Sequence, residues 1–354
     1  MTLSLIRPLE LDDLPAVEGL LDAHLVIGRH GARHTAATFA RETLLASPWA
    51  DSELPSLVAT EGGAVIGFFA LHARRVRFDD RTLRAACCSH LVVDPRHRAG
   101  AAGALLIGRC LQGPQDLTIS DTANDVVARV WSTFGGRVDA ARSCEWMHVL
   151  RPGRLATRLA RQWAGGTRPN RGDLPVPGLP LHIAARFVPR LRVPQEPNVH
   201  SEPLTVAQAV DELPAAARGL RLRADYDEAY LRWLFGRLET MPGEVVLRMV
   251  RRASRAVGWY VYVLGPTGRG RVLQVFTGLR HADVVVGDLL ADGRARGATL
   301  MTGRLEPHLY EPLRRRLTSV GFGARHVVHS RHADVLAAHA SPAAVVSRLD
   351  GEWW

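Results

Sequence analysis

The stretch Leu91–Leu106, LVVDPRHRAGAAGALL, decides the fold. An apolar strand ends at Asp94-Pro95, and a run of small residues then opens a helix. A helix start presents backbone N–H groups that its own turns cannot pair, at the positive end of the helix dipole. Such an end suits a pyrophosphate. Small residues at Ala99, Gly100, Ala101, Ala102 and Gly103 let phosphate approach the main chain, and Arg98 sets a positive charge at the rim.

Outward from this stretch, the first 150 residues alternate strand-like and helix-like patterns. Leu3–Arg7 reads as a strand, and Asp12–Ala23 as an amphipathic helix with Leu14, Val17, Leu20 and Leu21 on one face. Thr35–Leu45 reads as a second helix. Three strands follow at Leu57–Glu61, Ala64–Phe78 and Leu83–Val93, separated by the turn signals Gly62-Gly63 and Asp79-Asp80. Past the helix Gly100–Leu111 come a strand at Leu117–Ile119, a helix over Asn124–Phe134 and a strand at Glu145–Leu150. Antiparallel hairpins in front and a strand–helix–strand unit behind predict a mixed, mostly antiparallel sheet flanked by helices, an α/β (α+β) fold.

In this order of elements, and at Val93, Pro95, Arg98 and Gly103, the chain resembles the GNAT superfamily of N-acetyltransferases. That family's motif is a strand ending V-x-P, then Q/R-x-x-G-x-G/A at the helix start. Ala101 stands where the family has its first glycine. The resemblance implies acetyl-CoA or another acyl-CoA as cosubstrate. Backbone at Leu91 and Val93 would then bind pantetheine, and the amides from Ala99 through Gly100, Ala101, Ala102 and Gly103 to Ala104 would hold the pyrophosphate. The family often places an Asn at the next helix start and a Tyr seven residues on, which returns a proton to the CoA thiolate. Here Asn124 fits and Trp131 occupies the Tyr position. An indole N–H cannot serve as that acid.

Relatives often carry a carboxylate on the strand before the motif. This strand reads Ala85-Ala86-Cys87-Cys88-Ser89-His90, without one. His90 has the intrinsic pKa of a base, Ser89 offers a relay, and the Cys87 thiol lies near the family's carboxylate position. These three are the candidate catalytic residues.

Beyond Arg151 the pattern changes. Residues 151–199 are rich in Arg, Pro and Gly and carry one amphipathic stripe, Leu155, Leu159 and Trp163, which suits packing between domains. Residues 200–354 read as a second, degenerate copy of the first domain. Ser201–Leu213 echoes Ile6–Val17, and strands follow at Val245–Val250, Ala256–Leu264 and Val272–Thr277. A helix at Ala282–Arg294, a strand at Thr299–Thr302 and a helix over Leu309–Val320 complete the cycle. The phosphate cradle is missing, since Gly278-Leu279-Arg280-His281-Ala282 lacks small residues in the right places. The expected organisation is therefore two GNAT-like domains, 1–150 and 200–354, joined by 151–199.

Composition bounds the function. The 354 residues carry 45 basic side chains of the Lys and Arg type, all of them Arg, against 35 acidic ones, a net charge of +10. The arginines are dispersed rather than gathered into a tract, which favours a compositional bias over a nucleic-acid track. No apolar run approaches bilayer length, so no membrane role is expected. Cys87, Cys88, Cys110 and Cys144 form no C-x-x-C pair, and a reducing cytoplasm fits them. His326, His329 and His332 fall at strand-like spacing that turns alternate rings to opposite faces, and no metal is expected. The expected activity is N-acylation, acetyl by default, of a small-molecule amine held between the domains. An aminoacyl-tRNA-dependent transferase and a non-catalytic acyl-CoA-binding protein are the alternatives.

Overall fold

A computed structural model describes residues 5–24, 46–97, 101–164, 198–316 and 318–351. By internal contacts the chain divides into two compact units, Met1–Ser143 with Arg221–Pro242 and Ala324–Trp354, and Cys144–Leu220 with Gly243–Gly323.

The first unit is organised by β3 (Ala64–Phe78) and β4 (Arg81–Val93), joined through Asp79-Asp80. Asp79 takes φ 48°, a left-handed conformation that a short polar side chain tolerates in a tight hairpin turn. Alternation sorts the β3 side chains: Phe69 and Leu71 face one side, and Phe68, Ala70, Val76 and Phe78 the other. β1 (Leu5–Pro8) and β2 (Leu57–Glu61) extend the sheet on the β3 side, and β5 (Leu117–Ala123) runs parallel to β4.

Helix α1 (Leu14–His24) buries Val17, Leu20 and Leu21 on the Phe68 face. α2 (Ala102–Leu111) packs Leu106, Ile107 and Cys110 on the Phe69 face, together with Trp131 of α3 (Asp125–Thr133). Each such apolar side chain contributes roughly 1.5–3 kcal/mol by leaving water.

Strand pairing then departs from chain order. The first sheet runs β1-β2-β3-β4-β5-β15-β6, with β6 at Arg137–Asp139 and β15 at Arg325–His329. The second runs β14-β7-β13-β12-β11-β10-β8, with β7 at Cys144–Val149. Its remaining strands are β8 (Val199–Pro203), β10 (Glu244–Arg252), β11 (Arg255–Leu264), β12 (Arg269–Thr277), β13 (Leu300–Arg304) and β14 (Ser319–Phe322). The two sheets share one order and exchange one strand: β7 follows β6 in sequence yet pairs with β13 and β14, whereas β15 pairs with β5 and β6. Contiguous bounds at 150 and 200 follow the chain; the hydrogen bonding crosses them.

Late segments complete the first unit. β9 (Leu222–Ala224) pairs with β3, and α10 (Ala333–Ala340) packs Val335 and Ala338 on the face of Val76, Phe78 and Cys87. The short helices α5 (Val206–Asp211) and α6 (Leu213–Ala216) lie in the second unit, whereas α7 (Glu228–Glu239) belongs to the first. In the second unit, α8 (Ala282–Ala295) covers β11 and β12 through Val285, Leu289 and Leu290. Leu155 of α4 (Pro152–Ala164) packs on Leu300, Met147 and Val149 of this unit.

Most expected elements lie within a few residues of their expected bounds. One differs in kind. The helix expected over Leu309–Val320 stops at Arg315 as α9 (Tyr310–Arg315), and Ser319–Phe322 is strand β14. Pairing with β7 over Cys144–Met147 supplies backbone partners that local propensity does not reveal. The expected helix at Thr35–Leu45 lies outside the described residues. Among the described residues no helix is long and apolar enough to cross a membrane.

Candidate active site

The site begins where β4 and β5 part. Their parallel pairing covers Ala85–Cys87 against Leu117–Ile119. β4 continues to Val93 and stays paired to β3, while β5 continues to Ala123 and stays paired to β15. Beyond Cys87 the two strands bound a split in the sheet. Leu91 and Val93 lie along it, half-buried, and pack against the core under α2.

At the open end of the split stands the start of α2. Ala101 is its N-cap, exposed and without a side-chain cap, and no acidic residue occupies the first turn. Ala102 is buried, and Gly103 and Ala104 are half-buried. A Cβ added at Gly103 would meet only Val93, at 3.7 Å, so the protein's own packing does not require glycine there. Asp94 precedes this helix, and its carboxylate is neutralised by Arg96, which donates to Asp94 through its side chain and its backbone N–H. These bonds hold Asp94 well below the usual carboxylate range. Arg98, Ala99 and Gly100 of the expected cradle lie outside the described residues.

The candidate catalytic residues fall at a β-bulge. Ala70 pairs with Ser89 and Phe68 with Val92, so β4 carries one extra residue between them, and His90 there takes φ 50°. A bulge re-aims a side chain, and a non-glycine residue in left-handed backbone is held by its surroundings. His90 Nδ1 lies 2.8 Å from Ser89 Oγ, and the same oxygen lies 2.8 Å from His72 Nε2. Ser89 and His72 are buried, while His90 retains some exposure. Burial pushes the His90 imidazole down to about 4, so it is neutral at neutral pH. In the tautomer whose Nδ1–H donates to Ser89 Oγ, Ser89 donates onward to His72 and the His90 Nε2 holds the lone pair. Cys87 is fully buried on β4, opposite His72.

His72 joins this cluster through the fold, and the sequence carries one signal for it. The two-residue turn Asp79-Asp80 pairs Phe78 with Arg81, and counting back along the hairpin sets His72 opposite Cys87. Asn124 caps α3, its side chain accepting from Val127 N at 2.9 Å. Trp131 is fully buried beneath α2, and its Nε1 has no hydrogen-bond partner among the described residues. Its indole is a core side chain.

A second buried chain of polar groups lies on the β5 side. Asp121, two residues beyond the last β4 partner, lies 3.0 Å from His326 Nδ1 on β15. His326 Nε2 lies 3.2 Å from His339 Nε2 on α10, and His339 Nδ1 lies 3.4 Å from Asp139, which also accepts from Arg142 at 2.9 Å. The two ring nitrogens lie at hydrogen-bonding distance, so one ring donates to the other. The arrangement fastens β15 and α10 to β5. Among the described residues no group of three or more side chains suits a metal ion.

In the second unit β12 likewise outruns its parallel neighbour, with different side chains around it. β12 pairs with β13 over Arg269–Val272 and continues to Thr277. His308 Nε2, buried, lies 3.2 Å from the Val275 carbonyl on that continuation. α8 starts with His281 as N-cap and Asp283 in its first turn, the latter paired with Arg316. Asp283 and Arg316 thus form an ion pair at the start of α8, where α2 has no acid in its first turn.

The chain has the fold of the GCN5-related N-acetyltransferases. Over 92% of its length it superposes on 72% of such an enzyme from Kribbella flavida, with a TM-score of 0.57 and 14% identity. A GCN5-related N-acetyltransferase from Anabaena variabilis matches over 93% of this chain and 73% of its own, with a TM-score of 0.59 and 11% identity. Saccharomyces cerevisiae N-myristoyltransferase, solved with bound myristoyl-CoA and inhibitors, matches over 92% of this chain and 79% of its own, with a TM-score of 0.52 and 10% identity. No family model matches the sequence, and no curated protein matches it.

Proposed function

We propose that the chain is an acyl-CoA-dependent N-acyltransferase that transfers an acyl group, acetyl by default, to a small-molecule amine. The observation that carries the reading is the split beyond Cys87, which opens toward a helix start free of acid in its first turn and has a His–Ser–His chain at its bulge. The names of the similar structures, two N-acetyltransferases and an N-myristoyltransferase, agree with it.

In this reading the first-turn amides of α2 hold the pyrophosphate and the backbone at Leu91 and Val93 holds the pantetheine, which sets the thioester deeper in the split. The neutral amine attacks the carbonyl carbon; the C–N bond forms, the C–S bond breaks, and CoA departs as thiolate. His90, neutral through burial, takes the ammonium proton, while Ser89 and His72 hold its ring and spread the charge. The thiolate is protonated from water, since Trp131 has no acid to offer. The reading places the protein in the cytoplasm, in keeping with cysteines that form no disulfide.

Transfer RNA is the less favoured partner. Among the described residues Arg7, Arg77, Arg251 and Arg316 are engaged by Asp13, Asp225, Glu202 with Glu212, and Asp283, which leaves them poor phosphate contacts. The test is calorimetry of acetyl-CoA and of aminoacyl-tRNA across a salt series. Acetyl-CoA binding that persists at physiological salt, with steep loss of tRNA, supports the reading. Tight tRNA binding at physiological salt without acetyl-CoA binding replaces it.

A further inference from the structure

Tyr230 presents a buried hydroxyl that no other described residue engages. The residue is fully buried on α7, and its hydroxyl has no hydrogen-bond partner among the described residues. Native proteins seldom leave such a group unsatisfied, and where they do it calls for a ligand, a water or a catalytic duty. The ring is not loosely placed. It stacks on Trp49 with centroids 3.5 Å apart and planes 5° from parallel. Trp49 in turn donates from Nε1 to Asp227, the N-cap of α7, at 2.8 Å. The Arg74 guanidinium lies 5.7 Å from the Tyr230 ring centroid.

These contacts place the phenol over the β3–β4 ladder. Arg74 stands opposite Ala85, and His72 opposite Cys87. Alternation puts Arg74, His72, Ala85 and Cys87 on one face of the sheet. Burial, with help from neighbouring acids, raises the Tyr230 pKa, so the hydroxyl stays a neutral donor. Cys87 is also the last β4 residue paired with β5, the closed end of the split. A pyrophosphate belongs at the open end by α2; the thioester lies deeper.

We propose that the Tyr230 hydroxyl donates a hydrogen bond to the thioester carbonyl oxygen of bound acyl-CoA at the closed end of the split. The assignment rests on the acyl-CoA reading above and names a contact for the acyl end of the ligand, from a residue late in the chain. A neutral donor among Cys87, Ala85 and stacked rings suits a neutral acceptor such as a thioester carbonyl.

The test compares wild type with Tyr230→Phe, using acetyl-CoA and free CoA as probes in calorimetry, together with thermal melting. Because the hydroxyl has no partner among the described residues, the variant is expected to melt at the same temperature or higher. Acetyl-CoA binding falls about tenfold while free CoA, which lacks the carbonyl, binds as before. Tyr226→Phe serves as the reference for a structural hydroxyl: Tyr226 bonds Asp350, and its loss lowers the melting temperature. Unchanged acetyl-CoA binding in Tyr230→Phe, an equal fall for both ligands, or a lowered melting temperature each overturns the assignment. A wild-type chain that binds neither probe overturns the acyl-CoA reading itself, so the two failures are told apart.

Discussion

In the first unit β4 leaves β5 at Cys87, and α2 begins on Ala101, Ala102 and Gly103 with no acid in its first turn. In the second, β12 outruns its pairing with β13 after Val272, but His308 bonds the Val275 carbonyl there and Asp283 occupies the start of α8. The strand order is the same in both sheets. On the proposed acyl-CoA reading, the two copies differ in a few side chains at a helix start and along one strand end, while the scaffold stays constant.

The largest effect that probes this comparison comes from cutting the chain. A fragment of residues 1–150 contains the entire phosphate-binding motif but lacks β15, whose Val327 and Val328 are buried between β5 and β6. It is expected to bind no acetyl-CoA and to lack cooperative melting; a folded, binding fragment breaks the account of the exchange. Next comes Gly103→Glu, which sets a side chain and a charge at the α2 start. Affinity for acetyl-CoA falls at least about a hundredfold while the melting temperature holds, and calorimetry finds one site per wild-type chain. A stoichiometry of two would restore the second unit as a binding domain.

Acid sharpens the comparison, because each unit buries one histidine pushed down to about 4: His90 in the first, His148 in the second. The unfolded chain takes up these protons near pH 6.5 and the folded chain only near 4, so stability present above 6.5 is lost as pH falls through that window. Replacing His90 by Gln removes on the order of 2 kcal/mol of this pH dependence, read from denaturant midpoints between pH 7 and 4.5. His308→Ala frees the Val275 carbonyl and costs about 1–2 kcal/mol of stability, with acetyl-CoA affinity unaltered. The smallest effect is Asn124→Ala, which removes the α3 cap and costs about 1 kcal/mol in the same denaturant assay.

The sequence yields some of this more readily than the rest, for physical reasons. β2 and β3 begin and end where expected, because alternation and the Gly62-Gly63 and Asp79-Asp80 turns are local signals. Which strand pairs with which is not local. Glu145–Leu150 reads as a strand, but periodicity assigns its faces and not its neighbours, so its place beside β13 stays hidden. His326 reads as one of a spaced trio, and only the exchange of β15 brings it to Asp121. The Ser89–His90 pair is legible as a polar interruption of an apolar strand. His72 is buried in FFALHARR and emerges only when the hairpin is counted back from its turn.

The placement of β15 also sets a schedule. On the ribosome, the neighbours of that strand, β5 and β6, are complete by Asp139, whereas β15 begins at Arg325. At roughly 5–20 residues per second, about ten to forty seconds separate the two. During that interval the facing edges of β5 and β6 lack their partner, and an unpaired strand edge is a template for pairing with another chain. The motif-bearing half therefore cannot close its sheet until Arg325–His329 has been made, and that edge stands open throughout the interval.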